Sequence, residues 1–152
     1  MSKSRYESPE EAESAFYDCF ENGDQDAMME VWDQTDDIVC IHPFGVRLEG
    51  VDEVREGWSG ILNGDQRLSF RAESGWNFRS GDLAVHTVLE HIRIQGDNTE
   101  HTPLIATNTY RRTRNGWRMV LHHASPQPKP GESDADPQDE QPPQDSTERT
   151  LH

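Results

Sequence analysis

Residues 83–95 read LAVHTVLEHIRIQ, and this stretch decides the fold. Alternate side chains of a β-strand point to opposite faces of the sheet. Here both sets of alternate positions are rich in apolar residues, beginning with Leu83 on one set and Ala84 on the other. A strand that is buried on both faces has this composition. The stretch therefore predicts a strand with one face against helices and the other against a second protomer.

Three more segments with a period of two accompany this strand, at residues 66–79, 102–113 and 117–125. Short turns rich in glycine and asparagine separate the segments, namely Ser80-Gly81-Asp82, Gly96-Asp97-Asn98 and Arg114-Asn115-Gly116. Turns of this length favour antiparallel pairing of consecutive strands. The second half of the chain therefore predicts a four-stranded antiparallel meander.

The first half of the chain has helical spacing. Ser8-Pro9-Glu10-Glu11 has the composition of a capped helix start, and Asn22-Gly23 that of its end. A short second helix is predicted over about 24–33, a strand over 38–41, a turn over 45–50 and a third helix from Val51 to Asn63-Gly64. This order predicts an α+β fold in which three N-terminal helices cover a curved, cone-shaped antiparallel sheet. A cone of this kind leaves a concave pocket for a small molecule.

Composition limits the classes of function. The chain has 152 residues, enough for one hydrophobic core, and 29 acidic against 14 basic residues give a net charge of -15. This charge disfavours nucleic acid and anionic membrane surfaces as partners. The sequence has no apolar run long enough to span a membrane and no apolar signal core, so we expect a cytoplasmic protein. Cys19 and Cys40 lack metal-type spacing and are predicted to be reduced, and neither a metal nor a cofactor is predicted.

The composition changes at residue 127. Residues 127–152 contain seven acidic residues, five prolines and two basic residues, with almost nothing to bury. Such a segment cannot offset the entropy lost on ordering, so we expect a disordered, acidic, proline-rich tail. The predicted organisation is a flexible N-terminus at 1–7, a folded domain at 8–126 and the tail at 127–152.

Several local motifs carry a family resemblance: Val39-Cys40-Ile41-His42-Pro43 with Gly45, Leu48, Gly50 and Trp58, then residues 106–112 (ATNTYRR), Gly116-Trp117-Arg118 and 122–126 (HHASP). With the order of elements, they resemble the nuclear transport factor 2-like superfamily. The match is to its SnoaL-like and ketosteroid-isomerase-like branch, near the calcium/calmodulin-dependent kinase association-domain group. The resemblance implies a cystatin-like roll and a homodimer packed through the outer sheet face. The fold hosts isomerases, dehydratases, cyclases and non-catalytic modules, so it leaves the reaction open.

The resemblance places Glu90, Asn108 and His122 on the inner face of the sheet, and Tyr110 follows by strand parity. Glu90 has apolar neighbours on its own face, and burial would raise its carboxyl pKa into the range of a general acid or base. The alternative is a structural hydrogen bond or an ion pair with an arginine. Both interpretations stay open from the sequence.

His42 ends a predicted strand before Pro43, which predicts a ring at the pocket mouth that faces His122. With Glu90, the two histidines would form an acid-base set near neutral pH. A hydrogen-bonded packing role is the alternative. The three residues are a permissible metal-ligand set, but no spacing signature supports a metal.

Further residues are predicted to contact the ligand: Trp58, His86, Tyr110, Tyr17 and Trp32. Trp58 and Trp32 lie on the apolar sides of their helices, so each forms either an aromatic lid or part of the core. Tyr17 lies beside the apolar stripe of the first helix, so its hydroxyl either reaches the cavity rim or is exposed to solvent.

These patterns predict binding of a small hydrophobic organic molecule in a mainly apolar pocket. As an enzyme, the protein would move a proton without a cofactor, as isomerases and lyases do. Glu90 or His122 would abstract the proton, and Asn108 or His42 would hydrogen-bond the developing oxyanion. A non-catalytic ligand-binding module and an oligomerisation module that uses the outer sheet face remain as alternatives.

Overall fold

The computed structural model describes residues 5–64, 67–99 and 101–128. Three helices and six strands follow one another in the order α1 (Pro9–Asn22), α2 (Gln25–Val31), β1 (Val39–Ile41), β2 (Arg47–Glu49), α3 (Gly50–Leu62), β3 (Leu68–Ser80), β4 (Leu83–Ile94), β5 (Leu104–Thr113) and β6 (Gly116–Ser125). The α+β class and the order of helices before a long meander are confirmed.

The six strands form one curved sheet in the order β2-β1-β6-β5-β4-β3. Strands β3 to β6 pair antiparallel with their chain neighbours, as the turns predict, whereas β1 pairs parallel with β6. The register shifts by one residue at Gly75 of β3 and at Val120 of β6, the latter opposite Thr109 and Tyr110 of β5. Bulges bend and twist a strand, and they help the sheet to curve around the helices.

Two predictions about the connection after β1 are wrong. Residues 47–49 form β2 instead of part of a turn, and they pair antiparallel with β1 from Arg47↔Ile41 to Glu49↔Val39. Three residues are too few to show a period of two, so the pattern of residue types could not reveal this strand. The third helix begins one residue early, at Gly50, whose positive φ of 87° and N–H bond to the Ile38 carbonyl oxygen at 2.9 Å set the turn into it.

The start and the end of α1 follow the predicted chemistry. Ser8 is the N-cap, and its Oγ accepts the Glu11 backbone N–H at 3.1 Å. The Glu11 carboxylate accepts the N–H of Glu7 at 2.9 Å, one residue before the position found in a standard capping box. Gly23 closes the helix in the left-handed conformation, with φ of 67°. Helix α2 is shorter than predicted, because Trp32 leaves it as extended chain and forms an isolated bridge to Met119.

The core lies between the helices and the inner face of the sheet. Its largest fully buried apolar members come from both layers: Trp32, Trp58, Trp117, Tyr110, Phe16, Met28, Ile38 and Met119. The outer face instead leaves large apolar side chains exposed, among them Trp76, Phe78, Leu83 and Ile105. The helices therefore cover one side of the sheet, and no described part of the chain covers these four residues on the other side.

Both ends of the described chain make contacts. Tyr6 accepts the Trp117 backbone N–H at 2.9 Å, and the guanidinium of Arg5 donates to the Arg114 carbonyl oxygen at 3.1 Å. At the other end, the side-chain amide of Gln127 donates to the Pro103 carbonyl oxygen at 2.7 Å. Most of the predicted tail, residues 129–152, lies outside the described residues.

In the described ranges, every helix is too short or too polar to cross a membrane.

Candidate functional site

Three polar side chains lie in a row across the inner face of the sheet. His86 on β4 is the register partner of Asn108 on β5, and Asn108 is the register partner of His122 on β6. Glu90 lies four residues beyond His86 on the same face of β4. All four residues are buried, and the relative solvent exposure of Glu90 is 2%. Strand parity therefore brings the predicted residues Glu90, Asn108, His122 and His86 to one buried surface.

Helix α1 contributes the group that joins them. The hydroxyl of Tyr17 donates to Glu90 Oε2 at 2.6 Å and accepts from Asn108 Nδ2 at 3.1 Å. Asn108 Oδ1 lies 2.7 Å from His122 Nδ1, and His122 Nε2 lies 4.0 Å from Glu90 Oε2. Tyr17 was predicted either at the cavity rim or exposed to solvent, whereas the structure places it inside, bonded to two of the predicted site residues.

A second carboxylate, on Glu13, completes the arrangement. Its Oε2 accepts from Asn108 Nδ2 and from the Tyr110 hydroxyl, each at 3.0 Å, and its Oε1 lies 3.0 Å from His86 Nδ1. Together, the hydrogen-bonded side chains form what we call the inner polar cluster: Glu13, Tyr17, His86, Glu90, Asn108, Tyr110 and His122. Seven side chains from one helix and three strands therefore share one buried network.

Aromatic rings border the His122 end of the inner polar cluster. The Trp58 ring meets the His42 ring edge to face, with centroids 4.7 Å apart, and it lies 6.1 Å from His122. Phe16 packs between Trp58 and His122, at 5.5 and 4.9 Å. His42 lies 6.2 Å from His122 and its Nε2 lies 3.5 Å from Cys40 Sγ. His42 therefore lies beside the cluster and, among the described residues, hydrogen-bonds none of its members.

Trp58 and Trp32 share one feature. Each indole N–H is buried, and neither has a hydrogen-bond partner among the described residues. Only Trp58 contacts the aromatic rings around His122. Trp32 instead bridges to Met119, three residues before His122 on β6, where it forms part of the core.

Open space lies at the rim of the domain. Cavities of about 400 and 580 Å³ flank the start of β3 and the end of β4, and Phe70 lines the larger one. A cavity of about 150 Å³ is lined by Phe20 and residues of the α3 end. Phe20 and Phe70 touch with centroids 4.0 Å apart, and Phe70 lies 6.4 Å from Tyr17. None of these cavities is lined by Glu90, Asn108 or His122, and Phe70 is the lining residue whose ring lies near Tyr17 of the inner polar cluster.

Family comparison agrees with this architecture. The sequence matches the SnoaL-like domain model over residues 10–129. The chain belongs to the SnoaL-like domain family. A solved candidate type II association domain of calcium/calmodulin-dependent protein kinase from Thiobacillus denitrificans is 38% identical, with a TM-score of 0.79 over 82% of this chain and 99% of that one. A candidate dehydratase of the nuclear transport factor 2-like family from Streptomyces avermitilis is 30% identical, with a TM-score of 0.70 over 76% and 91%.

A plant relative is longer. F-box protein SKIP8 of Arabidopsis thaliana is 28% identical over 99 residues, which are 65% of this chain. The matched residues are 41% of that protein, so this chain spans less than half of its length. The family resemblance read from the sequence is thus confirmed, and the relatives carry names from different functional classes.

Burial sets the protonation of this SnoaL-like domain's site. It raises the pKa of Glu90 to about 6, where the Tyr17 hydrogen bond lowers the value in part and the charge of Glu13 raises it. Burial lowers the pKa of His122 to about 3 and that of His42 to about 4. Near neutral pH, therefore, both histidines are neutral and Glu90 is close to its titration range.

The other carboxylate of the cluster behaves in the opposite way. Burial would raise the pKa of Glu13, but hydrogen bonds from His86, Asn108 and Tyr110 and the charge of His86 outweigh it and lower the pKa. Burial likewise opposes the charged form of His86, yet the hydrogen bond and charge of Glu13, with the charge of Glu10, raise its pKa. Glu13 and His86 therefore each favour the charged form of the other.

Two cysteine thiols and a basic stretch, residues 111–114 (RRTR), are the next reactive or charged groups to consider. Cys19 and Cys40 are free and buried, and burial raises both thiol pKa values, that of Cys19 to about 11. Arg111 pairs with Asp33, and Arg112 pairs with Asp82 at 2.8 Å. Two arginines of the sequence cluster at 111–114 are thus neutralised by acids of the same chain. In the described ranges, no three His, Cys, Asp or Glu side chains are arranged to hold a metal ion.

Glu13 is the functional residue that sequence reasoning missed. It lies in a helix that also carries Glu10 and Glu11, where acidic residues are typical of a solvated face. The available signal was spacing, because residues four apart share a helix face and Glu13 precedes Tyr17 by four. A polar stripe beside the apolar stripe of α1 therefore pointed toward the sheet.

Proposed function

We propose that this domain binds a small organic carbonyl compound at the His122 end of the inner polar cluster and transfers a proton on it without a cofactor. The observation that carries the proposal is the pair of atoms Glu90 Oε2 and His122 Nε2, buried and 4.0 Å apart. This distance is too long for a direct hydrogen bond. We infer that a bound ligand would place its reacting C–H group against these two atoms.

Glu90 is the base in this proposal. A pKa of about 6 leaves it mostly ionised at neutral pH while keeping its conjugate acid strong enough to return the proton. The carboxylate takes a proton from the carbon beside the carbonyl, the C–H electron pair forms a new C=C bond, and the carbonyl π pair moves onto the oxygen. Return of the proton to another carbon gives an isomer, and loss of a neighbouring leaving group gives an elimination.

The aromatic border supplies the complementary features. Phe16, Trp58 and His42 form an apolar wall beside His122. The Trp58 indole N–H has no acceptor among the described residues, and a buried donor without a partner costs about 1–3 kcal/mol. A ligand oxygen that accepts this N–H would recover that cost and hold the developing oxyanion. Neutral His42 beside it is the second residue suited to that oxygen.

Entry of the ligand requires the rim to open. Phe20 and Phe70 lie between the rim cavities and Tyr17. Both rings are partly buried against the core, and we infer that they separate to admit the ligand. The 30% identical relative from Streptomyces avermitilis is named a candidate dehydratase, which is consistent with the elimination branch.

The test follows proton exchange in heavy water. Small cyclic ketones are first screened by thermal shift, and those that raise the melting temperature are incubated with the protein in D₂O. We expect deuterium at the carbon beside the carbonyl in wild-type samples and its loss in Glu90→Gln. Glu73→Gln is the matched control, because Glu73 is an exposed carboxylate on β3 that pairs with His91 instead.

Each outcome is informative. Exchange that survives in Glu90→Gln would contradict the role of Glu90. Binding without exchange in the wild type would favour the non-catalytic binding module. A screen in which no carbonyl compound binds would overturn the proposal as a whole.

A second candidate function rests on the outer face. Trp76 and Phe78 are about half exposed there and stack with centroids 5.8 Å apart and planes 11° apart. With Leu83 and Ile105 they form an apolar surface of a kind that usually marks an interaction site. The 38% identical relative is named a candidate association domain. These observations support a homodimer through the outer face.

Light scattering tests this second candidate. The wild-type protein should have the mass of a dimer, and Phe78→Glu should have that of a monomer. Phe44→Glu is the control, because Phe44 is more exposed than Phe78 but lies in the loop between β1 and β2. A monomeric wild type, or an equal effect of both variants, would contradict the assignment.

A further inference from the structure

The geometry points to Glu13 as a positioning residue that fixes the proton on His122 and the direction of the Tyr17 hydrogen bond. This inference deepens the proposed function and rests on it for its catalytic consequence. Glu13 does not touch the reacting position, because Asn108 and Tyr17 lie between its carboxylate and the atoms Glu90 Oε2 and His122 Nε2. Glu13 acts indirectly, by determining the direction of the Asn108–His122 and Tyr17–Glu90 hydrogen bonds.

The first step is the amide of Asn108. An amide group has two N–H donors on nitrogen and acceptor sites on oxygen. An ionised carboxylate only accepts, so the amide atom that faces Glu13 Oε2 at 3.0 Å must be nitrogen. The second amide hydrogen lies toward the Tyr17 hydroxyl at 3.1 Å. Glu13 therefore fixes which way the Asn108 amide points.

The second step is the histidine. With nitrogen turned to Glu13, Asn108 presents its oxygen to His122 Nδ1 at 2.7 Å. An oxygen acceptor requires a hydrogen on Nδ1, and a neutral imidazole carries only one N–H. The lone pair of His122 is then on Nε2, the atom that faces Glu90. Glu13 thus determines that His122 presents an acceptor to the reacting position.

The third step is the tyrosine. The Tyr17 hydroxyl has one hydrogen, and because the hydroxyl accepts from Asn108, that hydrogen is directed to Glu90 Oε2 at 2.6 Å. Glu13 therefore determines both groups that face Glu90: the acceptor nitrogen of His122 and the donor hydroxyl of Tyr17. Its pairing with buried His86 keeps Glu13 ionised, which is the condition for an acceptor that cannot donate.

A single isosteric change tests this chain of directions. In Glu13→Gln the new side chain has both a donor and an acceptor, so it can donate to an inverted Asn108. A flip of the Asn108 amide would exchange its oxygen and nitrogen, so that the nitrogen donates to His122 Nδ1. The histidine hydrogen would then move to Nε2, and Nε2 would no longer present a lone pair to the reacting position. Glu10→Gln is the matched control, because Glu10 lies 3.7 Å from His86 Nε2 and is 63% exposed, with no contact to Asn108.

Nitrogen-15 NMR of histidine-labelled protein reads the tautomer directly. We expect His122 to carry its hydrogen on Nδ1 in the wild type and in Glu10→Gln, and on Nε2 in at least half of the Glu13→Gln molecules. A wild-type His122 protonated on Nε2 overturns the inference without any variant. A Glu13→Gln protein that folds and keeps the wild-type tautomer overturns it as well.

The tautomer does not depend on a ligand, so this inference and the proposed function can fail separately. A tautomer change in Glu13→Gln supports the positioning role even if no carbonyl compound undergoes exchange. Where exchange is found, we expect Glu13→Gln to lower the rate constant at least tenfold with little change in KM, and Glu10→Gln to change neither. A change confined to KM would contradict a role in positioning the proton acceptor.

Discussion

The hydroxyl of Tyr17 joins helix α1 to two strands of the sheet, so its removal perturbs the inner polar cluster at one atom. Tyr17→Phe deletes the bond given to Glu90 at 2.6 Å and the bond taken from Asn108 at 3.1 Å. A buried polar group that loses its partner costs about 1–3 kcal/mol, and bonds to charged groups lie at the upper end. Asn108 keeps its bonds to Glu13 and His122, so Glu90 bears most of the cost. We expect a loss of about 3 kcal/mol in the free energy of unfolding at alkaline pH.

The loss should grow with pH, and the sign follows from Glu90. Burial raises the Glu90 pKa from 4.5 to about 6, so the folded state binds this proton more tightly than the unfolded state does. The resulting stability is fully present below pH 4.5 and is lost as the pH rises through about 6. A tenfold change in proton affinity is worth about 1.4 kcal/mol, so ionised Glu90 costs the fold about 2 kcal/mol above this range. Tyr17→Phe removes the bond that lowers the Glu90 pKa and should increase this cost.

Urea unfolding of the wild type and the variant, at about pH 5 and about pH 8, measures the effect. Tyr110→Phe is the matched control, since its hydroxyl donates to Glu13 at 3.0 Å and does not contact Glu90. Glu13 stays ionised at both pH values because its pKa is lowered, and it keeps its contacts with His86 and Asn108, so we expect an equal loss of about 1.5 kcal/mol at each pH. A Tyr17→Phe loss that is equal at the two pH values, or no larger than that of Tyr110→Phe, would refute the reasoning.

Three further predictions concern other parts of the molecule. Phe44→Gly should stabilise the fold by up to about 1 kcal/mol in thermal unfolding, because Phe44 is 93% exposed and its φ of 63° is strained for a residue with a Cβ atom. A melting temperature of the variant below that of the wild type would contradict this. Because the pKa of His86 is raised in the folded state, its pairing with Glu13 stabilises the fold below pH 6.5, and this stability is lost as the pH rises through the folded-state pKa. His86→Asn should therefore lose less stability than the wild type between mildly acidic and alkaline pH. An equal dependence of the unfolding free energy on pH in both proteins would count against the pair. Trp58→Phe should keep the aromatic wall but lose the unpartnered N–H, so bound ketones should bind at least fivefold more weakly, whereas Trp32→Phe should leave their affinity unchanged.

Much of the fold could be predicted because its signals are local and repeated. Long strands such as β4 show the period of two over many residues, and the cap at Ser8 and the stop at Gly23 are decided by single side chains. The short strand β2 carries no such repetition, and its pairing with β1 depends on tertiary contacts alone. Element boundaries therefore shifted where a tertiary contact decides them, as at Gly50.

The candidate site likewise has a part that could be predicted from the sequence and a part that could not. The family resemblance was needed to assign Glu90, Asn108 and His122 to one face, because strand parity orders residues within a strand but not between strands. The bonds among them were not predictable, since they depend on how α1 lies across the sheet. That orientation turned Tyr17 inward and brought Glu13 to three partners at once. Sequence could supply the members on the sheet but not the helix residue that orders them.

The two carboxylates of the inner polar cluster differ in a way that separates their roles. Glu13 has a buried cationic partner in His86 and three hydrogen bonds, and its pKa is lowered as for a structural ion pair. Within the described part of the chain, the basic group that reaches Glu90 is His122, which burial keeps neutral. The fold thus stabilises the charge on one carboxylate and leaves the other ready to accept a proton. In acid-base sites, two nearby carboxyl groups take different roles when their surroundings give them different pKa values. A cluster with only a packing role would gain by pairing or omitting Glu90, because an unpaired buried carboxylate is a cost that packing does not require.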